Sequence, residues 1–357
     1  MKAAADKDRE LIAEELLGTS GDFSAYFRSY DDLATKDNTI DGPISRTHQD
    51  VIFVTEYLKS NSGVTKEQAL AHMQASWNTT DNLENVLTLA IQAMLMVDSA
   101  AQEWHPAGYA LGEYRPIGWL SQERFSSFME RSFPKGSEHI REQVLEAFDE
   151  RSQLKAWKLQ KRLGMSFHPT DNLSEHLTLD TKNNILYLFH HAAYLKAHLA
   201  KCRDVPLELK ATAEDSFKHG THPPQLLAET LHSLQGILFP SLDRKSGEVL
   251  NSLIRKEGFD SECAQYEGYK IFPEPPEDFN YIYWGRRIAQ LHQMVKALPP
   301  RNKFEKWFQQ KTSERNALLI ALVALFISIF VGILSIILSC VQIWIAWMQW
   351  KHPVQVT

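Results

Sequence analysis

Four histidines fall within twenty-three residues: His176, His190, His191 and His198. Three carboxylates, Asp171, Glu175 and Asp180, lie beside them in the chain. Imidazole titrates near neutrality, so it can shuttle a proton or hold a metal. A zinc site needs three or four donors converging on one point. His191 and His198 are seven apart and would share one face of a helix. His176 lies beyond an expected turn at 180–184, and the only thiol nearby is Cys202. Spacing alone therefore assembles no metal centre, and ordinary core or surface histidines account for the run. His176, His190, His191 and His198 remain the candidate metal ligands. The carboxylates would support acid–base work only if buried together with the imidazoles. A further pair, His219 and His222 in HGTH ahead of two prolines, reads as a loop.

The chain has no GxSxG elbow, no P-loop, no GxGxxG and no HExxH, any of which would point to a reaction class. No catalytic or cofactor-binding residue is assigned, and no cofactor is expected. Residues 51–77 run helix, breaker, helix, the order of a helix-turn-helix. Their second segment, TKEQALAHMQ, holds a single lysine. A plain helical hairpin explains that pattern.

The elements that must position these residues read mostly as helices, from apolar residues spaced three and four apart. Leu11, Ile12, Leu16 and Leu17 mark one over Arg9–Leu17, stopped by Gly18. Gln49–Leu58 precedes the breaker SNSG at 60–63, and Thr65 then stands as an N-cap. Leu83, Val86, Leu87, Ala90, Ile91 and Met94 keep a helical period behind Thr80 or Asp81. Residues 101–119, with three Gly and two Pro, read as a loop packed on the core. Gln122–Phe133 and Glu138–Leu163 read as further helices. Asn184–Ala200 is predicted to be helical, apolar at Ile185, Leu186, Leu188, Ala192, Leu195 and Leu199. Gln225–Leu238, Gly247–Ile254 and residues 279–298 follow. Between the last two, FPEPPE at 272–277 cannot be helical throughout and reads as a linker.

From Ala317 to Cys340 the chain runs without a charge, and no acidic or basic residue falls between Arg315 and Lys351. About twenty apolar residues cross the hydrocarbon core of a bilayer, so this segment is long enough to span. Arg301, Lys303, Lys306, Lys311 and Arg315 precede it, while Lys351 and His352 follow. That asymmetry puts the N-terminal side in the cytosol. The expected topology is a tail anchor with residues 351–357 across the membrane. The anchor runs from Ala317 through Gly332, with Trp344, Trp347 and Trp350 marking the far interface and Trp307 and Phe308 the near one. Ser328 and Gly332 are four apart, as are Ser335 and Ser339, a spacing that lets two such helices approach closely and self-associate. No ionisable residue lies in the span, which argues against a pump or proton relay. Such a long apolar span fits the endoplasmic reticulum or later secretory membranes.

The span is confined to one end, because the mean hydropathy of the whole chain is only −0.32. Residues 1–315 carry 37 Lys and Arg against 44 Asp and Glu, a net charge of −7. A surface of that sign excludes nucleic acid as an expected partner. The three cysteines, Cys202, Cys263 and Cys340, form no CxxC pair and suit a reducing, cytosol-facing compartment.

Several segments resemble a large family of filamentous-fungal proteins with one or two C-terminal spans. The residues that carry the resemblance are Trp119–Pro134, TDNLSEHL at 170–177 with LFHHAAYL at 188–195, ETLHSL and LFP within 229–240, YWGRRI at 283–288, and WMQWKHP at 347–353. It covers most of residues 50–353. It implies a fungal source and a helical cytosolic domain on a C-terminal anchor. Some relatives look like members of accessory, subtelomeric gene clusters linked to hyphal morphology and biofilm form. The resemblance transfers no catalytic residue to this chain.

The expected fold is therefore mainly α: a helical cytosolic part followed by one C-terminal transmembrane helix. The expected divisions are 1–47, a helix and loop; 48–271, a helical domain; 272–315, linker and juxtamembrane helices; 316–350, the span; and 351–357, a short tail. The expected function is a non-enzymatic, membrane-anchored factor whose partners are the lipid bilayer and other proteins. Two alternatives stand beside it. One is a membrane-associated enzyme with a His/Asp site in residues 171–198. The other is a membrane-perturbing cell-death protein.

Overall fold

The computed structural model describes residues 1–35, 46–101, 114–266, 279–297 and 317–351. The linker at 272–277, the basic stretch at 301–315, Trp307 and Phe308, most of the loop at 101–119 and the tail beyond Lys351 lie outside the described residues. The chain divides into two units, Met1–Lys296 and Ala297–Thr357.

The first unit is mainly α. Its early helices are α1 (Asp6–Ile12), α2 (Ser24–Thr35), α3 (His48–Ser60), α4 (Lys66–Trp77) and α5 (Leu83–Leu95). A π-helical turn extends α1 to Leu17, where Gly18 stops it in the left-handed region at φ 73°. Thr47 and Thr65 cap α3 and α4, each in a reciprocal box with the residue three positions on, Asp50 and Gln68. Ten of the thirteen residues of α5 are buried, so it is the central helix of the core.

A helix that ends in the core must find donors for its last carbonyls. α5 does so one by one. The Ala93 carbonyl accepts from Tyr26 Oη at 2.7 Å and the Met94 carbonyl from Tyr194 Oη at 3.0 Å. The Leu95 carbonyl accepts from His222 Nε2 at 2.7 Å, and the Met96 carbonyl from the Leu173 N–H at 2.8 Å. Four distant segments are thereby tied to one helix end.

α6 (Phe125–Ser132), α7 (Arg141–Asp149) and α8 (Ala156–Leu163) follow. The helix expected over Glu138–Leu163 is thus broken, with 3₁₀ turns on either side of α7 and an extended Lys155 ahead of α8. Gly164, left-handed at φ 66°, ends α8 and turns the chain into a small sheet. Its strands are β1 (Ser166–Thr170), β2 (Thr178–Asp180) and β3 (Ile185–Phe189), in the order β1-β3-β2. β1 runs parallel to β3, with Thr170 opposite Phe189, and β2 runs antiparallel to β3. Pro169 is tolerated because β1 is an edge strand.

The helix expected over Asn184–Ala200 is corrected here. Asn184 sits left-handed at φ 53°, residues 185–189 form β3, and α9 (Ala192–Asp204) begins only after His191. A five-residue apolar run fits a buried strand as well as a helix, and the β-branched and aromatic residues Ile185, Tyr187 and Phe189 tip it to strand.

α10 (Ala213–Phe217), α11 (Pro224–His232), α12 (Arg244–Lys256) and α13 (Gly285–Ala297) complete the unit. One hydrophobic core runs through all of it. It takes in Ile12, Leu16 and Tyr26 from the segment before residue 47, and Ile288, Leu291 and Val295 from the segment after 271.

In the second unit, α14 (Ala317–Lys351) is a single helix of 35 residues, about 52 Å long at 1.5 Å per residue. Leu325–Met348 within it has a mean hydropathy of 2.5, and none of it is buried. Among the described residues it is the one helix long and apolar enough to cross a membrane.

Candidate functional site

Parallel pairing of β1 and β3 brings their C-terminal ends together. The residues that leave those ends are Asp171 from β1 and His190–His191 from β3. The sheet thereby gathers one carboxylate and two imidazoles at the edge where open parallel sheets commonly place ligands. Their donor atoms lie within 4.8 Å of one another. His191 Nε2 stands 2.7 Å from Asp171 Oδ1, and His190 Nε2 stands 3.4 Å from the same oxygen. The two ring centroids are 4.1 Å apart, with the planes tilted by 31°. Both histidines are buried, whereas the Asp171 side chain is 51 % exposed.

Neighbouring segments hold each member in place. Gln92, in the last turn of α5, donates from Nε2 to the Asp171 carbonyl at 2.9 Å. The Asp260 N–H donates to His190 Nδ1 at 3.1 Å. The Asp260 carboxylate accepts the Ala193 N–H at 2.8 Å and so caps α9 from a distant part of the chain. Cys263 Sγ donates to the His190 carbonyl at 3.0 Å.

These bonds settle the tautomers. A ring nitrogen that accepts a backbone N–H must carry a lone pair. Neutral His190 therefore carries its proton on Nε2, which points at Asp171. His191 likewise directs an Nε2–H at the carboxylate. Its Nδ1 is buried and has no partner among the described residues. Burial would push the Asp171 carboxyl up, but the two imidazole N–H bonds outweigh it and hold the group far below the usual carboxylate range. Burial, helped by the neighbouring His190, pushes His191 down to about 4, and Asp171 only partly offsets this. At neutral pH the site is an ionised carboxylate gripped by the Nε2–H of a neutral His191, with His190 Nε2 beside it.

This arrangement is a poor base, because so strong an acid takes up no proton near pH 7. It is not a preformed metal centre either. Zinc needs the Nε2 lone pairs at about 2.0–2.1 Å. For His190 that would move the proton to Nδ1, where the Asp260 N–H already points.

The structure separates the other candidate histidines from this pair. His176 is fully buried. Its Nδ1 accepts the Phe189 N–H at 3.2 Å, and its Nε2 lies 2.7 Å from Ser233 Oγ, which donates to the Thr230 carbonyl at 2.7 Å. His198 turns away from His191 and bonds Thr221 Oγ1 at 3.0 Å. Glu175 accepts from Thr170 Oγ1, and Asp180 accepts N–H bonds of the turn at Lys182 and Asn183. His222 belongs to the end of α5. Sequence reasoning missed Asp260 and Gln92, which are 67 or more positions from the groups they hold.

A second buried carboxylate also went unread. Glu229 on α11 is fully buried and accepts the N–H groups of Ile282, Tyr283 and Trp284, the last two at 2.9 Å. Burial pushes it up to about 7 against those bonds and that from Gln225. It fastens the start of α13 to α11.

The chain matches no protein-family model, no curated protein and no solved structure. The chemistry of its site rests on its own geometry.

Proposed function

We propose that this chain is a single-pass, membrane-anchored protein whose first unit faces the cytosol and binds other proteins there without catalysis. The observation that carries the reading is the Leu325–Met348 helix, uncharged, with a mean hydropathy of 2.5 and none of it buried. The Asp171–His190–His191 cluster supports the non-enzymatic part, because its bonds leave no nitrogen lone pair directed at solvent. On the resemblance to filamentous-fungal proteins, the anchored unit acts as an accessory factor in hyphal morphology or biofilm form, on the endoplasmic reticulum or a later membrane.

Alkaline carbonate extraction tests the anchor. The full chain is expected to stay with the membrane pellet, and a chain lacking residues 316–357 to be released. Pelleting of the truncated chain under high salt would remove the anchor assignment. An N-terminal fluorescent fusion imaged in cells identifies the membrane.

A second reading, a membrane-held enzyme or metal protein, draws support from the half-exposed Asp171 at the strand edge. Elemental analysis of the purified chain decides it. Stoichiometric zinc that disappears in His190→Ala would replace the first reading with the second.

A further inference from the structure

Residues 1–315 are acidic overall, but one face reverses that sign. Residues 155–163 and 243–256 together carry eight Lys or Arg against two Asp or Glu. These are Lys155 with α8, and α12 with its N-cap Asp243, and the two helices pack on each other. Lys155 Nζ pairs with Asp243 Oδ1 at 2.8 Å across the junction. Lys245 Nζ lies 4.6 Å from the centroid of the Trp157 ring, and Lys158 Nζ lies 5.8 Å from it. A tryptophan thus stands between lysines of both helices.

Helical spacing arranges the remaining charges. Lys158, Lys161 and Arg162 sit at i, i+3 and i+4 on α8 and share a face. On α12, Arg255 follows Arg244 and Lys256 follows Lys245 by eleven residues, close to three full turns. They place two basic residues at each end of α12, with Glu248 between Arg244 and Arg255 and 3.4 Å from Arg244, while Ser246, Leu250 and Leu253 turn inward. Beside this face, Leu242 is 100 % exposed. A fully hydrated leucine gains when its side chain leaves water.

An exposed leucine, a tryptophan and a field of lysines and arginines match the chemistry of an anionic bilayer surface. Basic residues near such a surface are attracted to its anionic headgroups. A chain held by its own span also meets that surface at high effective concentration.

We propose that the face formed by α8, the Leu242 turn and α12 docks on an anionic lipid surface. Leu242 enters the headgroup layer, and the lysines and arginines around Trp157 and at the two ends of α12 meet lipid phosphates. The proposal goes beyond the anchor and rests on it only for the tether.

Lysine-acetylation footprinting of the full chain tests it, in nanodiscs of phosphatidylcholine with and without phosphatidylserine. Co-elution with the discs reads the anchor. Labelling of Lys158, Lys161, Lys245 and Lys256 reads the docking, with Lys7 and Lys182 as controls elsewhere in the unit. The expected result is several-fold slower labelling of the four lysines in the anionic discs, unchanged controls, and loss of the difference at high salt. In a Lys158→Glu/Lys245→Glu variant, Lys161 and Lys256 should label equally in both discs. Equal labelling of the native chain in both kinds of disc overturns the proposal. So does protection by polyglutamate but not by anionic discs, which assigns the face to an acidic protein. If the chain fails to enter discs, the anchor reading falls. Docking then stands or falls on whether phosphatidylserine vesicles slow the same four lysines.

Discussion

At the scale of single residues, two carboxylates show how the same group serves opposite ends. Asp171 is half exposed and receives N–H bonds from two side chains that could hydrate if it were lost. Glu229 is fully buried and receives three backbone N–H groups that have no such freedom. Each buried donor left unpaired costs about 1–3 kcal/mol. Glu229→Leu should therefore destabilise the chain by at least ~3 kcal/mol, and Asp171→Asn by about 1 kcal/mol, discounted for exposure. Denaturant unfolding followed by tryptophan emission measures both. A larger loss from Asp171→Asn would show that the histidine pair, and not Glu229, holds the structure together. The motifs around residues 171–176 and 189–191 were legible as polar material with a structural explanation. Their partners were not, because Asp260 and Gln92 are brought in by folding and carry no local signature.

At the scale of elements, the signals that survive are those written within one turn of chain. Thr65 is legible as a cap because its partner Gln68 is three residues away. Thr65→Ala should cost about 1 kcal/mol and Thr65→Ser almost nothing, since the serine hydroxyl can accept the same N–H. Thermal unfolding of the two variants decides this, and equal losses would assign the effect to the lost methyl group and not to the cap. The central helix α5 was legible from its apolar period for the same reason. The sheet was not. β3 is a five-residue apolar run with no alternation to mark it, and its pairing with β1 depends on residues nineteen positions away, Ser166 opposite Ile185. That missed strand mattered most for the site, because it is parallel pairing, not a helix face, that brings His190 and His191 to Asp171. The basic face on α8 and α12 escaped for a related reason, since its halves are about eighty residues apart in the chain.

At the scale of the whole molecule, the buried histidines set how the first unit responds to acid. Burial holds His191, His222 and His232 at about 4, and it holds His176 and His198 well below their ordinary value. In the unfolded chain each returns to about 6.5. Below that value the unfolded state binds more protons than the folded one, so stability is lost as pH falls from about 6.5 toward 4. Asp171, held low, adds a loss of the same sign at still lower pH. Glu229 acts the other way. Burial raises it to about 7, so it is most favourable in acid, and Asp260 and Glu175 are raised by burial in the same sense. Five imidazoles held low outnumber the three carboxyls held high, so the net effect of acid is a loss of stability. The full chain in neutral detergent should therefore show a melting midpoint that falls steadily from pH of about 7 to about 4.5. His222→Gln should flatten part of that slope, because an amide can still donate to the Leu95 carbonyl and takes up no proton. A midpoint that stays level or rises over the same range would mean that water reaches these imidazoles, and the picture of a core tied together by neutral histidines would have to be given up.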